Sequence, residues 1–373
     1  MNNQELAETL GVSSERIERL LGRVVMRSSW PEPQLFRLDK AVAGAGEGTV
    51  VFDNGEVVCG YPKIKRAMML EPALKRFFPG TVVAEEKMNG HNVRVFRVDG
   101  NVVALTRGGF ICPYSTEVAR EQVPVEIFND RPNLVLCGEM VGPNNPYVTK
   151  NVYPVESMDF YLFDVSSKGS REMKGLRATH ELARKYGIKD VPLLGEFDSD
   201  EAYWGITKII KRLGNEGREG VVLKDPNNVV RPIKYTSSES NCADLKYAFR
   251  YYNDYGRDFI FSRVVREGFQ SAEWNESEKE FKARCLRLGM SLVGPMKETV
   301  ETKMADDSIV QKVQIKVKDL KVAKDFEIHF RRLGVRSIFH EPEHCGDGFL
   351  VRISRLAMST NDKTKSVIDG NTW

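Results

Sequence analysis

The sequence lacks the cysteine pairs that mark a zinc ribbon or a thiol redox site. Its six cysteines lie far apart along 373 residues, and none of them forms a CxxC pair. No signal peptide opens the chain, and no apolar run approaches the roughly 18 residues that a membrane helix needs. These absences predict a cytoplasmic protein with reduced thiols and no membrane partner.

The sequence also lacks a strong excess of charge of one sign. Lys and Arg number 55 against 52 Asp and Glu. This balance neither requires nor excludes nucleic acid, because a local basic face can exist inside a nearly neutral total. We find no internal repeat and no low-complexity tract. The apolar and charged fractions are those of a soluble globular protein, and the length suggests two or three domains.

The pattern of helix-like and strand-like stretches changes along the chain and predicts four segments. Residues 1–59 form a small N-terminal module, with helical spacing broken at Gly11 and then a hairpin at "DNG". Residues 60–238 alternate short strands and turns, residues 239–303 are helical, and residues 304–373 read as a small α/β domain. The dominant pattern is α+β with antiparallel strands, not a regular βαβ alternation.

Two smaller features of these segments have competing interpretations. The first 22 residues resemble a helix-turn-helix, for which packing against the next domain is favoured over reading of DNA. The stretch "HEPEH" from His340 to His344 matches the HExxH zinc-protease pattern, which works only on a helix. Pro342 disfavours a helix there, so a hairpin loop is expected. Metal binding by His340, His344 and Cys345 stays open as a minor alternative.

Five short stretches within residues 60–238 carry residues suited to nucleotide chemistry. Each stretch alone is weak evidence for nucleotide chemistry, but the order and spacing of the five stretches together are specific. They are "EKMNG" at Lys87, "TRGG" at Arg107, "CGEMVG" at Glu139 followed by "FYLFDV" at Phe163, "REGVVLK" at Glu219 and Lys224, and "RPIKYTS" at Lys234. They resemble the nucleotidyl motifs of polynucleotide ligases and RNA capping enzymes, which are covalent nucleotidyltransferases.

The first motif narrows this resemblance. DNA ligases and capping enzymes commonly carry KxDGxR, whereas here Asn89 replaces Asp and Asn92 stands where Arg is expected. The run "EEKMNGHNVR", with "GYPKI" upstream, resembles the homodimeric archaeal ATP-dependent RNA ligases. The motifs cover residues 60–237, and the flanks are similar in layout. The resemblance implies an antiparallel-sheet nucleotidyltransferase core, ATP-grasp-like in its ligase fold, with residues 239–303 as a helical dimerisation segment.

The resemblance makes Lys87 the nucleophile that forms lysyl-AMP. Only a neutral amine can attack, and the ordinary pKa of lysine is about 10.4. We expect burial, a neighbouring cation and bound Mg²⁺ to lower the pKa of Lys87. Gly90 would let the backbone turn closely around the nucleotide. Glu85 lies two residues before Lys87, hence on the same strand face, and the resemblance places it near the adenine amine.

The remaining motif residues supply positioning and charge neutralisation. Phe163 is assigned to stacking on adenine, with Phe160 as its rival. Mg²⁺, with Mn²⁺ as an alternative, would bind Glu139 and Glu219, because hard cations prefer carboxylate oxygens. The predicted ATP-binding set is Glu85, Glu86, Lys87, Asn92, Arg107, Glu139, Phe163, Lys224 and Lys234.

The function implied is an ATP-dependent RNA ligase that joins 5′-phosphate and 3′-hydroxyl RNA ends. It would act through lysyl-AMP and then RNA-adenylate, on single-stranded 5′-phosphorylated RNA. The alternatives are a DNA ligase, a capping-type guanylyltransferase, and a non-catalytic nucleic-acid-binding protein on a degenerate core. The absence of KxDGxR argues against the first two. Retention of all five motifs argues against the third.

Overall fold

The computed structural model describes residues 1–28, 30, 32–148 and 151–373. The helices are α1 (Asn3–Leu10), α2 (Ser14–Leu20), α3 (Leu70–Phe77), α4 (Pro113–Gln122), α5 (Glu126–Asp130), α6 (Leu176–Tyr186), α7 (Ser199–Asn215), α8 (Ser238–Arg250), α9 (Arg257–Glu273), α10 (Glu278–Met304), α11 (Leu320–Arg332) and α12 (Met358–Ile368). The strands of the first three sheets are β1 (Val25–Ser28), β2 (Leu35–Leu38), β3 (Val50–Phe52), β4 (Val57–Val58), β5 (Lys65–Arg66), β6 (Val82–Lys87), β7 (His91–Val98), β8 (Asn101–Thr106), β9 (Leu134–Val141), β10 (Asp159–Ser167), β11 (Leu193–Phe197), β12 (Gly220–Lys224) and β13 (Ile233–Thr236). The last sheet contains β14 (Val310–Val317), β15 (Ser337–Phe339), β16 (Glu343–Cys345) and β17 (Gly348–Leu356). Among these helices, none is long and apolar enough to span a membrane.

The N-terminal module packs its two helices on its own sheet. The side chain of Asn2 caps α1, and Gly11 ends that helix in the left-handed conformation at φ +65°. Leu6 and Ile17 are fully buried and join a cluster with residues of the antiparallel sheet β1–β4. The hairpin predicted at "DNG" joins β3 and β4, with Gly55 at φ +87°. The helices therefore cover this sheet, and the expected packing against the next domain was wrong in that detail.

Two antiparallel sheets form the centre of the molecule, as the α+β prediction required. One has the strand order β10-β9-β7-β8 and is covered by α4, α5 and α6. The other has the order β11-β6-β12-β13-β5, in which only the β13–β5 pair is parallel among the described strands. Helices α3 and α7 cover the second sheet with buried Leu70, Ile206 and Ile210. The chain passes from β6 to β7 through residues 88–90, and the two sheets face each other there.

Helices α6 and α7 precede the strands that complete the second sheet. Gly187 caps the C-terminus of α6 in the left-handed conformation at φ +66°. α7 runs through Gly214 to Asn215. A Cβ at Gly214 would lie 2.3 Å from the Glu239 carboxylate, so this glycine allows α7 to approach α8 closely.

Helices α8, α9 and α10 form the predicted helical segment. Its mixture of apolar and charged residues is explained by ion pairs buried between the helices. Arg284 on α10 is 2% exposed and donates to Glu267 on α9 at 2.5 Å. Glu267 also accepts from Asn241 on α8 at 2.6 Å. The three helices are therefore joined by polar contacts, which leaves apolar residues of α10 free to face outward.

The C-terminal segment forms a sheet of order β14-β17-β15, with β16 also paired to β17 and α11 packed on one face. Ile315, Phe326 and Ile353 belong to the same buried cluster as the first central sheet. In this part of the chain "HEPEH" runs from the loop after β15 into β16, which pairs with β17, so the stretch is not helical and the expected hairpin is confirmed. The described residues contain no group of three or more metal-ligating side chains there or elsewhere.

Candidate active site

A cleft of about 430 Å³ lies between the two central sheets. All nine predicted ATP-binding residues line this cleft: Glu85, Glu86, Lys87, Asn92, Arg107, Glu139, Phe163, Lys224 and Lys234. Glu219, the tenth predicted site residue, contacts the cleft residue Lys87. Residues that are up to 149 positions apart in sequence thus converge on one space, while their individual roles stay predictions.

Close packing against β9 explains why a glycine, Gly90, stands between β6 and β7, three residues after Lys87. A Cβ at Gly90 would lie 2.1 Å from the carbonyl oxygen of Met140 on β9. Only glycine lets β7 enter the sheet at this point without displacing that strand. The preceding turn is fixed by the Tyr153 hydroxyl, which accepts a hydrogen bond from the Asn89 amide at 2.8 Å. The sharp turn therefore holds Lys87 at the edge of the cleft.

Lys87 and two carboxylates form the charged centre of the cleft. Lys87 ends β6, and its Nζ lies 2.7 Å from Glu219 Oε2, with 21% of the lysine side chain exposed. Glu139 on β9 is directly opposite Asn92 on β7. Burial raises the pKa of Glu139 to about 7, with Lys87 lowering it and Glu219 raising it. Two close carboxylates, one with a raised pKa, form a site that favours binding of a further cation.

The expected lowering of the Lys87 pKa was wrong for the free protein. Burial does lower the pKa of Lys87, but the charges of Glu219 and Glu139 raise it by more, so the net pKa lies above its ordinary value. The reason is that the neighbours nearest to Lys87 are carboxylates and not the expected cations. In the free protein the Lys87 side chain is therefore an ammonium group held by Glu219.

Two cations of the cleft form no close ion pair with a described carboxylate. No described carboxylate lies within 4.0 Å of the side chains of Arg107 or Lys234. Burial lowers the pKa of Lys234 to about 8, and Lys87 and Arg66 lower it further. Arg66 on β5 stands opposite Lys234 on β13 in the parallel pair. The motifs do not identify Arg66, since only the strand register brings it there. This crowding of unpaired cations favours an anionic ligand.

Lys224 and Glu85 are paired to each other at the back of the cleft. Lys224 Nζ lies 2.7 Å from Glu85 Oε2 and donates to the Phe163 carbonyl at 2.6 Å. The other Glu85 oxygen is 2.9 Å from His180 Nε2, whose Nδ1 is 2.5 Å from Asp190 Oδ2. The hydrogen bond to Glu85 raises the pKa of His180. His180 lies on α6, outside every motif, so the sequence analysis missed it.

Glu86 has a different environment from Glu85. It is 1% exposed, and one carboxylate oxygen accepts from Arg218 at 2.7 Å. Its Oε1 is buried without a hydrogen-bond partner in the described part of the chain. Burial raises the pKa of Glu86, while Arg218 lowers it. Glu86 is therefore tied to Arg218 and keeps one acceptor unused.

The structure distinguishes the two phenylalanines that compete for the stacking role. Phe160 is 1% exposed, belongs to the hydrophobic core and does not line the cleft. Phe163 lines the cleft and packs its ring edge-on against Tyr61 at 5.1 Å. A bulge between Leu162 and Asp164 sets Phe163 outside the regular pairing of β10 with β9. Of the two rings, only Phe163 can reach a ligand in the cleft.

The predicted metal site consists of two carboxylates, Glu139 and Glu219. Mg²⁺ commonly binds through one or two carboxylates together with substrate phosphates and water. The donors are hard oxygens, and the charge of Glu219 adds to burial in raising the pKa of Glu139, as expected for two carboxylates that share a site. The residues present therefore fit a divalent cation that arrives with a phosphate-bearing substrate.

The chain is similar to ligases along its whole length. A family model described as RNA ligase matches residues 80–236, and one described as the C-terminal region of ligase Pab1020 matches residues 247–371. The uncharacterized protein MJ0414 of Methanocaldococcus jannaschii is 37% identical over 381 residues, covering 99% of this chain and 96% of its own. Two solved structures of an archaeal ATP-dependent RNA ligase are 37% identical, with TM-scores of 0.94 and 0.93 and complete coverage of both chains. An Aquifex aeolicus protein proposed to be an ATP-dependent DNA ligase is 25% identical, with a TM-score of 0.89 over 96% of this chain and 98% of its own.

The fold and the cleft define the class of the protein as a ligase built on a nucleotidyltransferase core. Within that class, the identity over the full length decides the family. The chain belongs to the archaeal ATP-dependent RNA ligase family. The sequence-based prediction of this enzyme class is thereby confirmed.

Proposed function

We propose that this ligase seals RNA through three nucleotidyl transfers in the cleft, with Lys87 as the nucleophile. In the first step the neutral amine of Lys87 attacks the α-phosphorus of ATP, the bond to the β-phosphate oxygen breaks, and pyrophosphate leaves. In the second step the 5′-phosphate of an RNA takes the AMP and releases Lys87. In the third step a 3′-hydroxyl attacks the adenylated phosphate, a phosphodiester forms, and AMP leaves.

The observation that carries this proposal is the convergence of nine motif residues on one cleft around Lys87. Arg107 and Lys234 form no ion pair with a carboxylate of the described residues, so they suit the phosphates of ATP. Phe163 offers a ring face or edge for adenine. Lys224 is paired with Glu85, so a contact between Lys224 and a phosphate of ATP requires that this pair opens or shifts when ATP binds.

Glu139 and Glu219 are the side chains that would hold the divalent cation, Mg²⁺ or alternatively Mn²⁺. When bound, the cation would neutralise phosphate charge and draw the two carboxylates away from Lys87 electrostatically. Lys87 then loses the interactions that raise its pKa, and burial alone favours the neutral amine. The same carboxylates thus keep Lys87 charged in the free protein and allow its deprotonation in the complex.

We further propose single-stranded RNA with a 5′-phosphate as the acceptor of AMP, with Asn92 near that phosphate. Asn92 lines the cleft beside Glu139. Its side-chain oxygen is buried and has no hydrogen-bond partner among the described residues. An amide with unused hydrogen-bonding capacity costs stability unless a ligand or a solvent molecule satisfies it. The unpaired Oδ1 supports contact with a donor or a cation in the cleft, and the proposed contact with the 5′-phosphate is assigned to the amide Nδ2, because only an N–H can donate to a phosphate oxygen.

The helical segment supports the homodimer as part of the proposal. On α10 the residues Leu286, Met290, Val293 and Met304 are 64–70% exposed. Their spacing of three, four and eleven residues places them on one face of the helix. The exposed pair Lys297–Glu301 lies between Val293 and Met304, so the contiguous apolar part of this face is Leu286, Met290 and Val293. An exposed apolar patch of this kind commonly marks a protein–protein interface. A second copy of the chain, presenting the same face, would bury both.

The first experiment tests the covalent step. Protein incubated with ATP and Mg²⁺ should gain the mass of one AMP, and Lys87→Ala should gain none. The matched control is Lys63→Ala, which removes an exposed lysine outside the cleft and should keep the adduct. An adduct that persists on Lys87→Ala would contradict the proposal. Labelled GTP in place of ATP tests the guanylyltransferase alternative, which requires a GMP adduct.

The second experiment tests the acceptor. The likeness to the Aquifex aeolicus protein makes joining of DNA the second candidate function. Pre-adenylated enzyme should be offered 5′-phosphorylated single-stranded RNA, single-stranded DNA and a nicked duplex in parallel. We expect transfer of AMP and sealing to be fastest on single-stranded RNA. Faster sealing of a nicked DNA duplex would favour the second candidate.

A further inference from the structure

We propose that Arg94 is a positioning residue that holds the Arg107 turn, residues 106–109, against the cleft, using the N-terminal module as its support. This inference rests on the proposed function, because it takes Arg107 to contact bound ATP. It also gives the N-terminal module a role in the first chemical step. Arg94 ends the run "EEKMNGHNVR", but the sequence analysis assigns it no role.

The guanidinium of Arg94 joins the module to the turn directly. Arg94 lies on β7 and its side chain is fully buried. Its Nη1 donates to the carbonyl of Cys59 at 2.7 Å, and its Nη2 donates to the carbonyls of Gly48 and Thr106, both at 2.9 Å. The Arg107 carbonyl lies 3.5 Å from the same Nη2. One planar group thus connects two backbone sites of the module with two of the turn.

The charge of Arg94 has no counter-ion among the described residues, where no carboxylate lies within 4.0 Å of it. Its Nε is also buried without a hydrogen-bond partner. Burying an unpaired charge is unfavourable, so a neutral cross-link would serve better if stability were the only role. Burial lowers the pKa of Arg94 to about 10, which still leaves it charged at neutral pH. Under the proposed function the turn faces the phosphates of bound ATP, so the buried positive charge of Arg94 beneath the turn would assist catalysis.

The N-terminal module also contacts the other side of the Arg107 turn. Arg37 on β2 donates to the Gly108 carbonyl at 3.3 Å, and its guanidinium lies 3.8 Å from the centre of the Phe110 ring. A Cβ at Gly48 would lie 2.1 Å from the Arg107 carbonyl oxygen. A Cβ at Gly109, which has φ +81°, would lie 2.7 Å from the Gly48 carbonyl oxygen. The backbones of the module and the turn are therefore in direct contact, with no space for movement toward each other.

The turn held in this way forms part of the cleft wall. Thr106, Arg107 and Gly108 all line the cleft, and Gly109 closes the turn by donating to the Thr106 carbonyl at 2.9 Å. Arg107 itself is exposed and has no carboxylate partner in the described chain, so its position depends on the backbone that carries it. Misplacement of a catalytic group by about 1 Å can slow a reaction about 10²-fold. Loss of the Arg94 contacts should produce a loss of this order.

A double-mutant cycle on the lysyl-AMP step tests the inference. The variants are Arg94→Gln, Arg107→Ala and the double variant, with adduct formation followed by mass at saturating and subsaturating ATP. Arg107→Ala and Arg94→Gln should each slow adduct formation, the second by about 10²-fold. If Arg94 acts through Arg107, the double variant should be no slower than the slower single variant. Arg97→Gln is the matched control: Arg97 is on the same strand but donates to Asn129 at 2.5 Å, and this variant should keep the wild-type rate.

The outcomes separate the inference from the function on which it rests. Equal slowing by Arg94→Gln with and without Arg107 would overturn the positioning role, since independent effects multiply. A wild-type rate for Arg107→Ala would remove the assigned role of Arg107, and the inference with it, while the Lys87 adduct would still test the ligase mechanism. If Arg94→Gln does not fold, Arg94→Lys replaces it in the cycle. Lysine keeps the charge but cannot reach all of the carbonyls, so the same non-additive slowing is expected.

Discussion

Replacing Val293 by glutamate should convert the proposed homodimer into a monomer. Val293 is 69% exposed and lies in the middle of the apolar face of α10, between Met290 and Met304. In a symmetric dimer each copy contributes this face, so a single substitution introduces two carboxylates into the interface. The structure allows the size of the effect to be worked out from the exposed side chains.

Complete burial of a valine, leucine or methionine side chain contributes about 1.5–3 kcal/mol. Four side chains that are about two-thirds exposed would therefore contribute roughly 1–2 kcal/mol each, or about 8–16 kcal/mol for two copies. Loss of translational and rotational freedom opposes association by about 4–15 kcal/mol. The balance is small enough that removing two valines and burying two carboxylates, at several kcal/mol per ion, should prevent dimerisation.

Light scattering at micromolar protein is the assay. We expect twice the chain mass for the wild type and the single-chain mass for Val293→Glu, with the dissociation constant raised by at least about 10³-fold for a loss of 4 kcal/mol. Val229→Glu is the matched control, because Val229 is 83% exposed on a loop outside α10. A dimer mass for Val293→Glu, or a monomer mass for the wild type, would refute the assignment of this face.

Three further predictions concern the cleft. Lys87→Arg should form no AMP adduct by mass, because guanidinium is not deprotonated at accessible pH; an adduct would contradict the nucleophile assignment. Asn92→Ala should still form lysyl-AMP but should pass AMP to 5′-phosphorylated RNA slowly, and an unchanged transfer rate from pre-adenylated protein would remove the phosphate role. Because the pKa of Lys234 is about 8, this side chain loses its charge as the pH rises through that value. ATP affinity measured by calorimetry without metal should therefore weaken above pH 8, and Lys234→Arg should abolish this weakening; the same pH dependence in the variant would exclude Lys234 as its cause.

Much of the cleft could be predicted from sequence because its chemistry is carried by short motifs at strand ends. Lys87 ends β6, Arg107 directly follows β8, and Glu139 lies near the end of β9. Gly90 was part of that signal, and the structure gives its physical reason in the contact with β9 that excludes a Cβ. Local spacing therefore carried the information wherever the site is built from one strand and its turn.

The residues that were missed are those brought in by long-range contacts. His180 reaches Glu85 across 95 positions of sequence, from the middle of a helix with no local signature of its own. Arg66 meets Lys234 only through the parallel register of β5 and β13. Arg94 would be expected to point outward as a charged residue on a strand, yet it is fully buried. No pattern of period two reveals these partners, because each depends on how separate elements pack.

The choice between Phe160 and Phe163 illustrates a different limit. A regular strand alternates its faces, and three residues of separation would put the two rings on opposite sides. Leu162 and Asp164 nevertheless pair with the consecutive residues Gly138 and Cys137, which leaves Phe163 as the extra residue of a bulge. A bulge inserts one residue without a clear sequence marker here. The side of the sheet on which Phe163 lies therefore depended on the pairing with β9, and it could not be derived from the sequence of β10 alone.

The raised pKa of Lys87 in the free protein points to a way in which the cleft would stay inactive before ATP binds. Most of its charged groups are paired internally: Lys87 with Glu219, and Lys224 with Glu85. The cleft cations without a carboxylate partner in the described chain are Arg107 and Lys234. An incoming triphosphate should therefore meet these two first, because their attraction is not already compensated. Under the proposed mechanism the Lys87–Glu219 pair would open only after the phosphates have arrived, and Lys87 would become reactive when its substrate is in place.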